Sequence, residues 1–177
     1  MAKKKSAKVR SAKVKKVRAV PKGYHTVTPG LAVRGADKFI AFAKKAFGAK
    51  EVMRMPGPGG SLMHAELVIG DSQVMVGDEV PGMGNRSASA LGGTPVTLYI
   101  YVENCDAIFK KAVAAGASVR MPMENMFWGD RMGQVVDPFG NTWGIASRIE
   151  DLSPREMKKR GEAFMKQMTQ QMPPLSA

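Results

Sequence analysis

His64 and Glu66 are the first residues to weigh for chemistry, because only two histidines occur in 177 residues. They stand two apart in the apolar run Leu62–Ile69, which reads as a strand, so they share one face. On a concave face, His64 would serve as general base or ligand contact and Glu66 would orient it. On an outer face the pair is structural, and a lone histidine in a strand favours that plainer reading. His25, three residues before Thr28, reads as structural or exposed. A second constellation is Phe127, Trp128 and Arg131, on a predicted hairpin edge. An indole offers a flat stacking surface and a guanidinium grips carboxylate or phosphate bidentately, which suits a planar or anionic small ligand. Tyr99 and Thr97, on the alternating segment Val96–Val102, complete this candidate ligand set. The competing reading is aromatic packing beside an Asp130–Arg131 surface pair. Cys105 opens a predicted helix, where the dipole would favour a thiolate. With no base in evidence beside it, it reads as a small buried residue. Met53, Met55, Met63, Met75, Met121, Met123, Met126 and Met132 crowd the predicted strands. Core filling is the expected role, with an adaptable apolar pocket as the other.

The elements that position these residues come as an internal repeat. Ala32–Ile40 parallels Tyr101–Phe109, with Val33 matching Val102 and Asp37 matching Asp106. Lys44–Ala49 resembles Lys110–Val113 followed by Gly116-Ala117, and Met55-Pro56 returns as Met121-Pro122. Each module predicts a strand (28–33; 96–102), a helix stopped by Gly48 or Gly116, and three further strands. Those strands fall near 51–55, 62–69 and 73–77 in the first module, and near 118–121, 133–136 and 142–147 in the second. The turns Gly70-Asp71 and Asp137-Pro138-Phe139-Gly140-Asn141 join the last two strands of each module. The unit is βαβββ, twice, with a Gly/Ser/Ala-rich loop expected over 82–93. Pro56-Gly57-Pro58-Gly59-Gly60 is a hairpin tip, because no Lys-Ser/Thr follows it as a phosphate loop requires. Ser153-Pro154-Arg155-Glu156 is a capping box, and Met157, Gly161, Phe164, Met165, Met168 and Met172 then recur at helical spacing. That stripe predicts a helix docked on the body or on a partner.

Charge is concentrated at one end. The net charge is +12, from 27 Lys and Arg against 15 Asp and Glu. Lys3, Lys4, Lys5, Lys8, Arg10, Lys13, Lys15, Lys16 and Arg18 carry most of it, with no acid among residues 1–18. The expected organisation is a disordered basic tail over 1–22, a folded domain over 23–150 (modules about 24–80 and 94–148) and a helical extension over 151–177. The tail suits non-specific binding of nucleic acid or another polyanion by phosphate neutralisation, without base readout. A solvated extension or an organelle transit peptide are the other readings. One cysteine excludes an internal disulfide and a Cys-based zinc cluster. No apolar run approaches the roughly 20 residues of a membrane span, and no apolar segment follows the first charges as in a secretory signal. A cytoplasmic protein is expected.

Two βαβββ units, with the segments Phe47-Gly48-Ala49, Met63–Leu67, Leu91–Pro95, Met126–Arg131, Asp137–Gly140 and Asp151–Pro154, resemble the vicinal oxygen chelate superfamily. This is the superfamily of glyoxalases, extradiol dioxygenases and bleomycin- or fosfomycin-resistance proteins. The segments look most like its PhnB-like branch. The resemblance covers about residues 24–158 and implies an α+β fold of paired four-stranded half-barrels around a cupped pocket, often dimeric. It also implies where a divalent ion would be held: Thr28, Val74, Thr97 and Gly144. None is a histidine or carboxylate, so no cofactor is expected at those positions. A frame shifted by one gives Val27, Met75, Val96 and Ile145, which is no better. The leading reading is a small-molecule-binding domain, with a homodimer expected. The competing reading is a lyase, isomerase or dioxygenase, with either non-standard metal ligands or metal-free acid–base chemistry by His64 and Glu66. A third is a nucleic-acid-tethered protein working through residues 1–18.

Overall fold

The computed structural model describes residues 17–80 and 82–171. The first module runs β1 (Gly30–Val33), α1 (Ala36–Phe47), β2 (Lys50–Pro56), β3 (Leu62–Ile69) and β4 (Ser72–Asp78). A one-turn helix α2 (Ala88–Leu91) lies in the link. The second module runs β5 (Thr97–Tyr101), α3 (Cys105–Ala114), β6 (Ser118–Asn125), β7 (Asp130–Val136) and β8 (Thr142–Arg148), and α4 (Pro154–Gln171) follows. The sheets have strand orders β1-β4-β3-β2 and β5-β8-β7-β6. In each, the first strand runs parallel to the last and the other neighbours are antiparallel. The two α+β modules of the repeat are therefore present.

Local chemistry explains the elements. The apolar stripe of α1 is buried at Phe39, Ile40, Phe42, Ala43, Ala46 and Phe47. Gly48 ends the helix at φ 68°, a left-handed conformation that glycine adopts without strain. The start of α1 is satisfied from a distance, because the Asp78 carboxylate of β4 accepts from the amides of Gly35 and Ala36 at 2.9 and 2.8 Å. Asn104 caps α3, accepting from the Ala107 amide at 2.9 Å. The Asp137 turn is held from inside. Its buried carboxylate accepts from the amides of Phe139 and Asn141, the Asn141 side chain and the Trp143 indole, each at 2.9 Å. Both helices cover one face of their sheets and pack on each other. Phe39 meets Phe139 edge-on at 5.5 Å, and Phe47 packs tilted against Trp143 at 4.5 Å. Each sheet therefore has a helix-covered face and an open one.

The structure corrects several expectations. The link over 82–93 contains α2, capped by the Ser87 hydroxyl. β6 runs on to Asn125 and β7 begins at Asp130, because a tight turn over Met126–Gly129 joins them. Register shifts between Val119 and Glu124 break the alternation that would have revealed the longer β6. The Ser153 half of the capping box forms, with the Glu156 amide donating to the Ser153 hydroxyl at 3.2 Å, while the Glu156 carboxylate pairs with Arg160. α4 docks through Arg160 and Phe164: Arg160 pairs with Glu150 and Glu156, and Phe164 packs on Phe127 at 4.9 Å. Beyond that, Met165 is 63% exposed. Core filling accounts for only part of the methionine set: Met132 is buried and Met123 packs on the core, whereas Met55 and Met63 are about half exposed. Among the described residues no helix is long and apolar enough to cross a membrane. Of the basic tail, residues 1–16 lie outside the described residues; Arg18 is exposed.

Candidate functional site between the modules

A cavity of about 810 Å³ opens where the end of the first module meets β5. Phe47, Ile69 and Val74 form its wall from the first module, and Leu98 through Val102, Ile108 and Trp143 form it from the second. Five consecutive residues line it, although neighbouring side chains on a strand point to opposite faces. β5 therefore presents its edge, as its terminal place in the sheet order requires. The Val102 amide donates inward to the Ala146 carbonyl at 2.9 Å. By alternation, the peptide groups of Tyr99 and Tyr101 turn outward to the open edge. Gln73 also lines the cavity, and its Oε1 is buried without a hydrogen-bond partner among the described residues. Asp71, Ser72 and His25 stand at the polar end. The site thus combines an apolar wall, an indole and in-plane backbone donors and acceptors.

The sequence-derived ligand set is divided between places. Tyr99 lines the cavity. Thr97 is half-buried and pairs in register with Thr142 outside it. Arg131 does not join Trp128. It reaches the helix-covered side, where it grips Asp106 with two 2.7 Å hydrogen bonds and Asn125 with one of 3.0 Å. That pairing holds the Asp106 carboxyl below its ordinary range. Trp128 lies on the other side of the strand, its indole donating to Asp130 at 2.9 Å. The Tyr101 hydroxyl donates to the same oxygen at 2.8 Å, and this contact raises the tyrosine pKa. Phe127 is taken up by packing between Trp128 and Phe164. Cys105 is buried, with its amide donating to Ser147 at 3.0 Å. Sequence reasoning missed Trp143, Gln73 and Ile100. The one signal in the chain was the strict alternation of 96–102, and nothing local marks a strand as an edge.

His64 and Glu66 do share the open face of the first sheet. His64 Nε2 lies 3.5 Å from Glu66 Oε1, and both side chains are largely shielded. The Glu66 carboxylate also raises the Tyr24 pKa. None of the three faces the cavity. The divalent-ion positions fare as follows. The Thr28 hydroxyl turns to the His25 carbonyl. Val74 points to the helix side, so it is not the counterpart of Gly144. The paired registers Gly30↔Met75 and Tyr99↔Gly144 make Met75 that counterpart. The second module's turn is longer, so equal spacing from its glycine slips by one residue and flips the face. The Tyr99 ring lies over Gly144: a Cβ added there would sit 2.6 Å from it. Among the described residues, no three His, Cys, Asp or Glu side chains group as metal ligands would. The donors at these positions do not fit a divalent ion.

Comparison with known proteins agrees with the fold. An uncharacterised protein of Mycobacterium tuberculosis is 43% identical over 135 residues, 75% of this chain and 79% of that one. The crystal structure of TioX from Micromonospora is 26% identical, with a TM-score of 0.55, covering 73% of this chain and 100% of that one. The structure of an Arabidopsis thaliana gene product is 28% identical with a TM-score of 0.57, covering 70% and 98%. The family model described as Glyoxalase/Bleomycin resistance protein/Dioxygenase superfamily matches residues 23–145. With the paired βαβββ modules, this match places the chain in that superfamily.

Proposed function

We propose that this protein binds a small, planar, largely neutral organic molecule in the cavity between its modules, without the divalent ion used by metal-dependent relatives. The observation that carries the reading is the cavity itself: an apolar wall with Trp143 at its side and the open edge of β5 offering peptide groups in one plane. A volume of about 810 Å³ falls within the range of small-molecule pockets. A flat ligand gains most from such a slot, because its faces lie against the apolar wall while its rim meets the strand edge. The anionic alternative loses support, since Arg131 is committed to Asp106 and, among the described residues, no Lys or Arg lines the cavity. Placement in the PhnB-like branch rests on the segments 47–49, 63–67 and 126–131. A homodimer belongs to the same reading and is supported by the solvent-exposed apolar side chains of Val52, Val96 and Val119.

The test is a thermal-shift screen of planar heteroaromatic compounds in EDTA, run on the wild type and on Ile100→Phe, which fills the slot. Saturable stabilisation of the wild type alone supports the reading. Equal shifts in both proteins, or stabilisation only after a divalent ion is restored, would overturn it.

A further inference from the structure

We propose that the open face of the first sheet binds a soft monovalent metal ion, Cu(I), between the His64 imidazole and the thioethers of Met53, Met55 and Met75. The register brings these side chains together. Met55 stands directly across from His64, and Met53 and Met75 flank Glu66 from β2 and β4. Met55 and His64, directly opposed, have Cβ atoms about 4.5–5.5 Å apart, and Met53 and Met75, diagonal to His64, stand about 7–8 Å from it, within reach of flexible methionine side chains. The facing is fixed independently. Glu51 and Arg54, on either side of the β2 irregularity, pair with Lys44 and Asp37 of α1, so the methionines between and beyond them turn away from the helix.

The neighbours of His64 are arranged as the surroundings of a metal-bound imidazole usually are. Glu66 lies beside one ring nitrogen at 3.5 Å, leaving Nδ1 as the ligating atom. Three thioethers with one imidazole make a soft donor set that selects Cu(I) over zinc, magnesium or manganese. The face remains open to an incoming ion: Met55 is 48% exposed and the His64 side chain 30%. These methionines also stand where core filling cannot explain them, on the side of the sheet that no helix covers. The site is separate from the inter-module cavity and does not depend on the proposed organic ligand.

Anaerobic titration of the full chain with Cu(I) against the chromogenic chelator bicinchoninate tests the assignment. One equivalent of Cu(I) per chain should be withdrawn from the chelator, with sulfur scattering in the X-ray absorption spectrum. The triple variant Met53→Leu/Met55→Leu/Met75→Leu should lose that competition while keeping the wild-type circular dichroism. Glu66→Gln, which keeps the shape but weakens the hold on the imidazole, should lower affinity about tenfold. Failure of the wild type to compete, wild-type affinity in the triple variant, or a spectrum without sulfur would overturn the proposal.

Discussion

Arg131 shows how strongly one partner decides what a residue can do. Its guanidinium would suit an anionic ligand, but Asp106 occupies it with two short hydrogen bonds. The buried Asp137 carboxylate is equally committed. Asp137 satisfies three donors of its own turn and the Trp143 indole of β8, so Asp137→Ala should cost about 3 kcal/mol in urea unfolding, because it strands buried amides. Glu79 gives a pH signature. The Ser87 hydroxyl and amide, and then Arg34, lower its pKa from 4.5 to about 2. A depressed carboxylate stabilises fully above its unfolded value and loses that contribution as pH falls through the folded one. Melting temperatures between pH 4.5 and 2 should therefore fall less steeply in Glu79→Gln than in the wild type. At Gly144 the Tyr99 ring leaves no room for a Cβ. Gly144→Ala should cost about 1–3 kcal/mol, and a Tyr99→Ala background should relieve most of it in a double-mutant cycle. The residue types of the site were visible in the chain. Their partners were not, because Arg131 and Asp106 are 25 positions apart and strand parity decides which side of the sheet Arg131 faces.

At the scale of elements, the readable signals were punctuation and period. Gly48, the Asp137 turn and the Ser153 capping box each set a boundary where the sequence predicts it. The boundaries that moved, at β6 and β7, lie beside register shifts, where one extra residue breaks the alternation on which strand reading depends. The same arithmetic misplaced Val74, since turns of different length separate the equivalent strands of the two modules. α4 was legible as an amphipathic helix, but the extent of its docking was not. The structure anchors it through Arg160 and Phe164 and leaves Met165 in solvent. Phe164→Ala should lower stability by about 1 kcal/mol, whereas Met165→Ala should change it by less than about 0.5 kcal/mol. Equal effects would mean that Met165 is docked as well.

At the scale of the whole molecule, the repeat made the fold legible and concealed the cavity. Self-similarity reveals what each module is, but the cavity takes Gln73 and Val74 from one and Ile100 and Trp143 from the other. The basic tail is a separate matter of charge. Deleting residues 1–18 removes nine positive charges and no acid, so it should abolish any low-salt retention on a random-sequence duplex while leaving ligand binding unchanged. The central claim, metal-independent binding between the modules, is tested most directly by Trp143 fluorescence. Only two tryptophans exist, so Trp128→Phe leaves Trp143 as the sole indole reporter on the cavity wall. Titrating that variant in EDTA with the planar compounds that stabilise the wild type should give a saturable change in emission. That change should be lost when Ile100→Phe is added. Binding that leaves Trp143 emission unaltered, or that appears only with a divalent ion present, would contradict the account.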